Sequence, residues 1–153
     1  MTASPAVSSI EQITELVGAE FGPSSWRQIT QADIEAYADI TGDDNPIHVN
    51  AEVAAKSPYG GTIAHGMLTL SMVVRHLREI YRITGASMGI VYGFNRIRFP
   101  HAVPSGARIR VRGRVASVTE VEGGWQVALA LTFELEGVEK PACIAELILR
   151  HYR

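Results

Sequence analysis

The chain predicts an α+β fold in which an antiparallel sheet wraps around one long apolar helix, and three observations carry this expectation. The first is a glycine-led run over residues 66–83, with Leu68, Met72, Val73, Leu77 and Ile80, which is too apolar for a surface helix alone. The second is a change of texture after residue 86, from helical spacing to strand alternation over residues 90–99, 107–118, 125–135 and 142–152. The third is the alternation itself. Trp125, Val127, Leu129, Leu131 and Phe133 face one way and Gln126, Ala128, Ala130, Thr132 and Glu134 the other, which gives one covered face and one mostly wet face. With 153 residues, 46% of them hydrophobic, the chain has the size of a single domain with a sizeable core.

In chain order, residues 1–25 are expected to form a flexible start and a short helix, and residues 26–153 the main domain. The start, residues 1–9, has no Lys or Arg and no apolar core of signal-peptide length, so it reads as flexible rather than as a targeting segment. Residues 8–17 read as an amphipathic helix, with Ser8 and Glu11 spaced as a capping box and Ile10, Ile13 and Leu16 on one face. Residues 18–23 break the pattern, and residues 24–29 suit a first strand. Thr30 with Asp33 opens a second helix carrying Ile34, Tyr37 and Ala38, and Gly42 ends it. Asn50 can cap a short helix through Ala55, after which Pro58, Gly60 and Gly61 make a loop leading to Gly66. Arg75, Arg78 and Arg82 mark the wetter end of the long helix.

Charge and cysteine usage exclude several classes. A formal net charge of -2 and a pI near 6.2 lack the basic excess of a nucleic-acid protein, so no nucleic-acid partner is expected. No window is long and apolar enough to span a membrane. The single cysteine, Cys143, excludes an intrachain disulfide and suits a reducing cytoplasm, the expected location.

The richest chemistry lies between Gly42 and His48. Asp43, Asn45 and His48 bring a carboxylate, an amide and an imidazole together around Pro46, which is the inventory for holding and polarising one water. Asp43 and Asn45 in isolation would read as turn residues. The His48 spacing and the downstream His65-Gly66 pair turn the balance toward a site on the loop after the second helix, with the Gly66 N–H as an oxyanion donor. His65, just before a helix, is expected to make a structural hydrogen bond. Neither it nor His76, His101 and His151 shows metal-ligand spacing, and no metal is expected. Arg108, Arg110, Arg112 and Arg114 recur at strand period, a stripe expected to pair with Glu134 and Glu136 on the outer face.

The segment Gly42-Asp43-Asp44-Asn45-Pro46-Ile47-His48 resembles the hallmark Gly-Asp-x-Asn-Pro-Leu-His of the MaoC-like dehydratases, with isoleucine for leucine, and in particular of their (R)-specific 2-enoyl-CoA hydratases and nodulation-protein-like subgroup. The likeness continues through Ile63-Ala64-His65-Gly66-Met67, the run from Val91 to Pro100, and Glu139-Lys140-Pro141-Ala142, covering most of the chain after Trp26. Asn50-Ala51 departs from the Asp-Pro that many relatives carry there, outside the reacting groups. The resemblance implies a hot-dog fold over residues 26–153 and a homodimer with active sites near the subunit interface. It implies enoyl-CoA or 3-hydroxyacyl-CoA as substrate and no cofactor. It makes Asp43 and His48 the catalytic pair, Asn45 the adjacent amide and Gly66 the oxyanion donor. Arg96 and Arg98 then become candidates for the phosphates of coenzyme A. Met67, Leu70, Ser71, Val74, Tyr92 and Phe94 could wall the acyl chain, although apolar residues at helical spacing are more often plain core. Two alternatives stand beside this reading: a hot-dog thioesterase, disfavoured because Glu79 is the only acid in residues 66–83, and a non-catalytic acyl-thioester binder.

Overall fold

Four long strands make the body of the sheet in the computed structural model, which describes residues 5–153. They are β5 (Met88–Arg98), β6 (Arg108–Val121), β7 (Gly124–Leu135) and β8 (Val138–Tyr152), and the short β2 (Glu20–Phe21) and β3 (Arg27–Gln28) add to β6. The six-stranded order is β2-β6-β7-β8-β5, with β3 also on β6, and every pairing is antiparallel. The inward row is what the alternation in β7 demands. Val127, Leu129, Leu131 and Phe133 are buried, as are Val111 and Val115 on β6 and Leu147 on β8. They share one apolar cluster with Leu70, Val73, Leu77 and Ile80 of the helix they cover. Each such side chain contributes about 1.5–3 kcal/mol by leaving water, so the sheet and helix stabilise each other far more than local propensity does.

The helical elements are a 3-10 helix (Ile10–Leu16), α1 (Gln31–Thr41), α2 (Pro46–Val49), α3 (Ala51–Ala55), α4 (Gly66–Ser71) and α5 (Val73–Ile80). The expected capping box at Thr30 and Asp33 is present, Gly42 ends α1 in the left-handed region at φ 75°, and Asn50 caps α3.

Three expectations need correction. The helix expected over residues 66–83 is divided at Met72 and stops at Ile80, and Tyr81–Thr84 is a strand, β4. This strand pairs in parallel with β1 (Ala6–Ser9), and the buried Tyr81 hydroxyl meets His151 Nε2 at 3.0 Å. Partners more than 60 residues away thus outweigh the local helical pattern. The same pairing takes Ser8 and Ser9 into β1, so the first helix begins at Ile10 as a tighter 3-10 turn, and no side-chain cap forms at Ser9. Residues 1–4 of the expected flexible start lie outside the described residues. The strand expected over residues 24–29 shrinks to Arg27–Gln28, while Glu20–Phe21, inside the stretch read as a break, forms β2.

The arginine stripe of β6 behaves as an outer sheet face. Arg108 pairs with Glu136, and Arg110 and Arg112 both meet Glu134, while Arg110 also lies over the Trp26 ring at 4.4 Å.

Candidate active site

Gly42 breaks α1 and turns the chain so that Asp43 follows directly, its N–H near Thr41 Oγ1 at 3.4 Å. Asn45 then caps α2, its Oδ1 accepting from the Ile47 N–H at 3.3 Å, and Pro46 takes the first helical position, where its missing N–H costs nothing. His48 therefore stands on a one-turn helix rather than on the loop the sequence suggested. It is a buried residue, and its Nδ1 lies 2.7 Å from the Ile63 carbonyl oxygen. A carbonyl only accepts, so Nδ1 carries the proton and a neutral ring presents Nε2 as a bare acceptor.

The helix behind this imidazole begins at Gly66. Its first intrahelical bond runs from the Thr69 N–H to the His65 carbonyl at 3.1 Å, so the N–H groups of Gly66, Met67 and Leu68 precede the ladder. No side chain caps this end, which leaves those dipoles available to a developing negative charge. The absence of a Cβ at Gly66 has a steric reason: a methyl there would come within 3.0–3.2 Å of the Phe99 ring.

Tyr37, Thr41, Asp43, His48, His65, Gly66, Met67 and Phe99 line one cleft of about 260 Å³. Larger hollows of about 620 and 560 Å³ lie on the outer sheet face around Arg112 and Trp26, but they gather no comparable acid–base pair. Convergent groups, not volume, therefore pick the site.

Three of the expected residues, Asp43, His48 and Gly66, come together here. Asn45 does not line the cleft; its side chain holds the turn that carries His48. Arg96 and Arg98 are exposed on β5 outside the cleft, with no ion pair among the described residues. Of the expected acyl walls, Met67 borders the cleft and Leu70 is buried in the core. Val74 lines a second cavity of about 260 Å³ along α5 with Leu77, Ile90 and Leu149, where burial pushes the Tyr81 hydroxyl pKa up and the His151 pKa down. Sequence reasoning did not place Thr41 or Phe99 in the site. Thr41 lies beside the motif, and Phe99 ends a segment already singled out by its resemblance.

Spacing along the chain also hid a cluster. Asp43, His48 and His65 each offer a ligating atom within 4.8 Å of the others. One nitrogen of each ring is committed to a carbonyl, at Ile63 and at Asp43. The rings stack with centroids 3.8 Å apart and an interplanar angle of 29°. In-plane lone pairs on nearly parallel rings do not converge on one point, so the arrangement suits hydrogen bonds to a water better than a closed metal coordination sphere.

A buried helix packed against an antiparallel sheet is the hot-dog arrangement, and the carboxylate and imidazole lining one cleft beside the glycine-led helix N-terminus give it groups suited to acid–base chemistry. Residues 12–133 match the MaoC like domain. The chain belongs to the MaoC-like dehydratase family and is a hydro-lyase. It is 40% identical over 144 residues to 3-hydroxyacyl-thioester dehydratase Z of Mycobacterium tuberculosis, covering 94% of this chain and 95% of that protein. Nodulation protein N of Rhizobium meliloti is 39% identical over 149 residues, covering 92% and 89%. Among solved structures, a monoamine oxidase regulatory protein from Archaeoglobus fulgius superposes with a TM-score of 0.77 at 24% identity over 98% of this chain and 99% of the other. The (R)-hydratase from A. caviae involved in PHA biosynthesis gives 0.71 at 22% identity over 87% and 94%. At those identities the two structures speak to the fold alone.

Proposed function

We propose that this protein reversibly hydrates a trans-2-enoyl-CoA to the (3R)-3-hydroxyacyl-CoA. The observation that carries the proposal is the meeting of the Asp43 carboxylate, the bare Nε2 of His48 and the Gly66 end of α4 in one cleft. Asp43 and His48 hold one water against one face of the double bond. Its oxygen adds to C3, a proton is delivered to C2 from the same side, and the displaced proton resets the pair, so hydrogen and oxygen balance as one water added. Charge that moves onto the thioester oxygen meets the Gly66 N–H. Such a donor is worth ~3 kcal/mol in the transition state, and a positioned acid or base about a hundredfold to ten-thousandfold in rate. Asn45 supports the chemistry by holding the turn beneath His48. Similarity to 3-hydroxyacyl-thioester dehydratase Z and to a 3-hydroxybutyryl-CoA dehydratase supports this substrate class.

The acyl tail runs along α4 and α5 from Met67 toward Val74 and the second cavity, and Arg96 and Arg98, free of carboxylate partners among the described residues, meet the coenzyme A phosphates. We read β5 as the contact between two copies. It is a sheet edge with Met88, Ile90, Val91 and Tyr92 exposed, the kind of row that a second copy covers. A sedimentation experiment showing only monomer at micromolar concentration would remove that reading.

Glu79, the acid a thioesterase reading needs on this helix, is instead engaged by Arg27 and by the Ser25 N–H at 2.8 Å. Those bonds hold its pKa down against the opposing effect of burial. A non-catalytic acyl-thioester binder, the other alternative, would bind the thioester without turning it over. Loss of enoyl-thioester absorbance with crotonyl-CoA, with chirality of the product, separates these outcomes. Hydration to (3R) product that collapses in folded Asp43→Asn and His48→Gln variants supports the proposal. Thiol release without hydration, or binding without turnover, defeats it in favour of one alternative or the other. In the same assay Arg96→Ala and Arg98→Ala raise KM, the more so with salt, and leave kcat in place; an unchanged KM removes the phosphate role.

A further inference from the structure

His65 touches both members of the Asp43 and His48 pair and is only 2% exposed. Its Nε2 lies 2.9 Å from the Asp43 carbonyl oxygen, so Nε2 carries the proton and donates. A neutral ring then leaves Nδ1 as a bare acceptor, and that atom is buried with no partner among the described residues. One face of the ring carries His48 at 3.8 Å, and Tyr37 tilts against the ring at 4.9 Å.

We propose that His65 is a positioning residue of the hydration site, an inference that rests on the Asp43 and His48 reading above. The Nε2–H tether fixes the main chain of Asp43, whose carboxylate has no hydrogen-bond partner of its own among the described residues. The stacked face fixes the plane of His48, which is otherwise held through the single bond from Nδ1 to Ile63. Together they set the spacing at which the pair shares one water. Displacing a reacting group by about 1 Å costs on the order of a hundredfold in rate, so loss of either constraint acts on kcat.

Two substitutions separate the constraints. His65→Phe keeps a ring beneath His48 and deletes the tether; His65→Gln keeps a donor for the Asp43 carbonyl and deletes the ring. Crotonyl-CoA hydration gives kcat and KM, and binding of butyryl-CoA, which has no double bond to hydrate, gives Kd. Each variant is expected to lose roughly 10- to 100-fold in kcat with KM and Kd changed by no more than about twofold. Combined with His48→Gln, each is expected to add almost nothing, because no pair remains to be positioned. A folded His65→Phe within about threefold of wild-type kcat overturns the proposal, as does full additivity with His48→Gln. If both variants unfold, nitrogen NMR of the wild-type imidazoles decides: the proposal requires protonated Nε2 on His65 and protonated Nδ1 on His48, and the opposite tautomer on His65 overturns it. A wild type that shows these tautomers but hydrates no crotonyl-CoA sinks the hydratase reading while leaving the tether in place.

Discussion

Gly66 is the residue at which steric and electronic demands meet most closely. Its missing side chain admits the Phe99 ring, and its N–H stands at the uncapped start of α4. In Gly66→Ala the new methyl meets that ring at 3.0–3.2 Å, close enough that the ring must move. The expected result is a drop in hydration kcat of about tenfold or more from displacement of the N–H and the cleft wall. Gly66→Ala combined with Phe99→Leu should recover part of it; no recovery would mean that the ring is not the obstacle. Asp43, His48 and Gly66 were legible as residue types in a motif. The tautomer of His48 was not, because the carbonyl that fixes it belongs to Ile63, 15 residues along the chain.

Among the elements, α1 has the most local origin and the most direct bearing on the cleft. Its ends were written in the sequence as Thr30, Asp33 and Gly42, and it places Tyr37 and Thr41 in the cleft wall before releasing the chain at Asp43. Thr30→Ala removes the hydroxyl half of the capping box, in which the Thr30 hydroxyl accepts from the Asp33 N–H, and leaves the half in which the backbone N–H of residue 30 donates to the Asp33 carboxylate at 2.8 Å. The Thr30 hydroxyl, which donates to the Asp33 carboxylate at 2.7 Å, and the Thr30 N–H hold the Asp33 pKa below its ordinary value. The substitution should cost about 1 kcal/mol in urea unfolding. A variant as stable as the wild type would show that packing of Ile34 and Ala38, not the cap, holds the helix. By contrast, residues 81–84 read as helix and fold as strand, since β1 offers them a ladder that local pattern does not reveal.

Over the whole molecule, the N-terminal segment is tied to the buried helix by a polar contact. Ser24 Oγ lies 2.8 Å from His76 Nδ1, and Ser24 also exchanges backbone and side-chain bonds with Val111 of β6. His76 is fully buried, and burial, with help from Arg27, lowers its pKa from 6.5 to about 4. Above pH 6.5 the ring is neutral in both folded and unfolded chains, and the contribution to stability is whole. As pH falls from 6.5 toward 4, the unfolded chain takes up a proton that the folded chain refuses, so stability drops, and below about 4 it levels off. The loss across that window is ~3 kcal/mol. Burial of His151 acts in the same direction. Urea unfolding from pH 7 to pH 4 should show this slope, and His76→Leu should flatten it; an unchanged slope in that variant would assign the acid sensitivity elsewhere.

The sequence by itself determined whatever depends on neighbours along the chain. It set the caps of α1 and α3, the stop at Gly42, the inward and outward rows of β6 and β7, and the Asp43 and His48 pair, because period, propensity and hydrogen-bonding inventory are local properties. It also made the arginine stripe readable as an outer face, which Glu134 and Glu136 confirm by pairing with it. Tertiary structure alone decided where Tyr81–Thr84 pairs, which nitrogen of His48 is free, that Phe99 covers Gly66, and that His65 stacks on His48 while bonding the Asp43 main chain. The physical reason is shared: a short-range preference of about 1 kcal/mol or less per residue yields to burial and ladder bonds from distant segments, and those partners exist only once the sheet has closed over the helix.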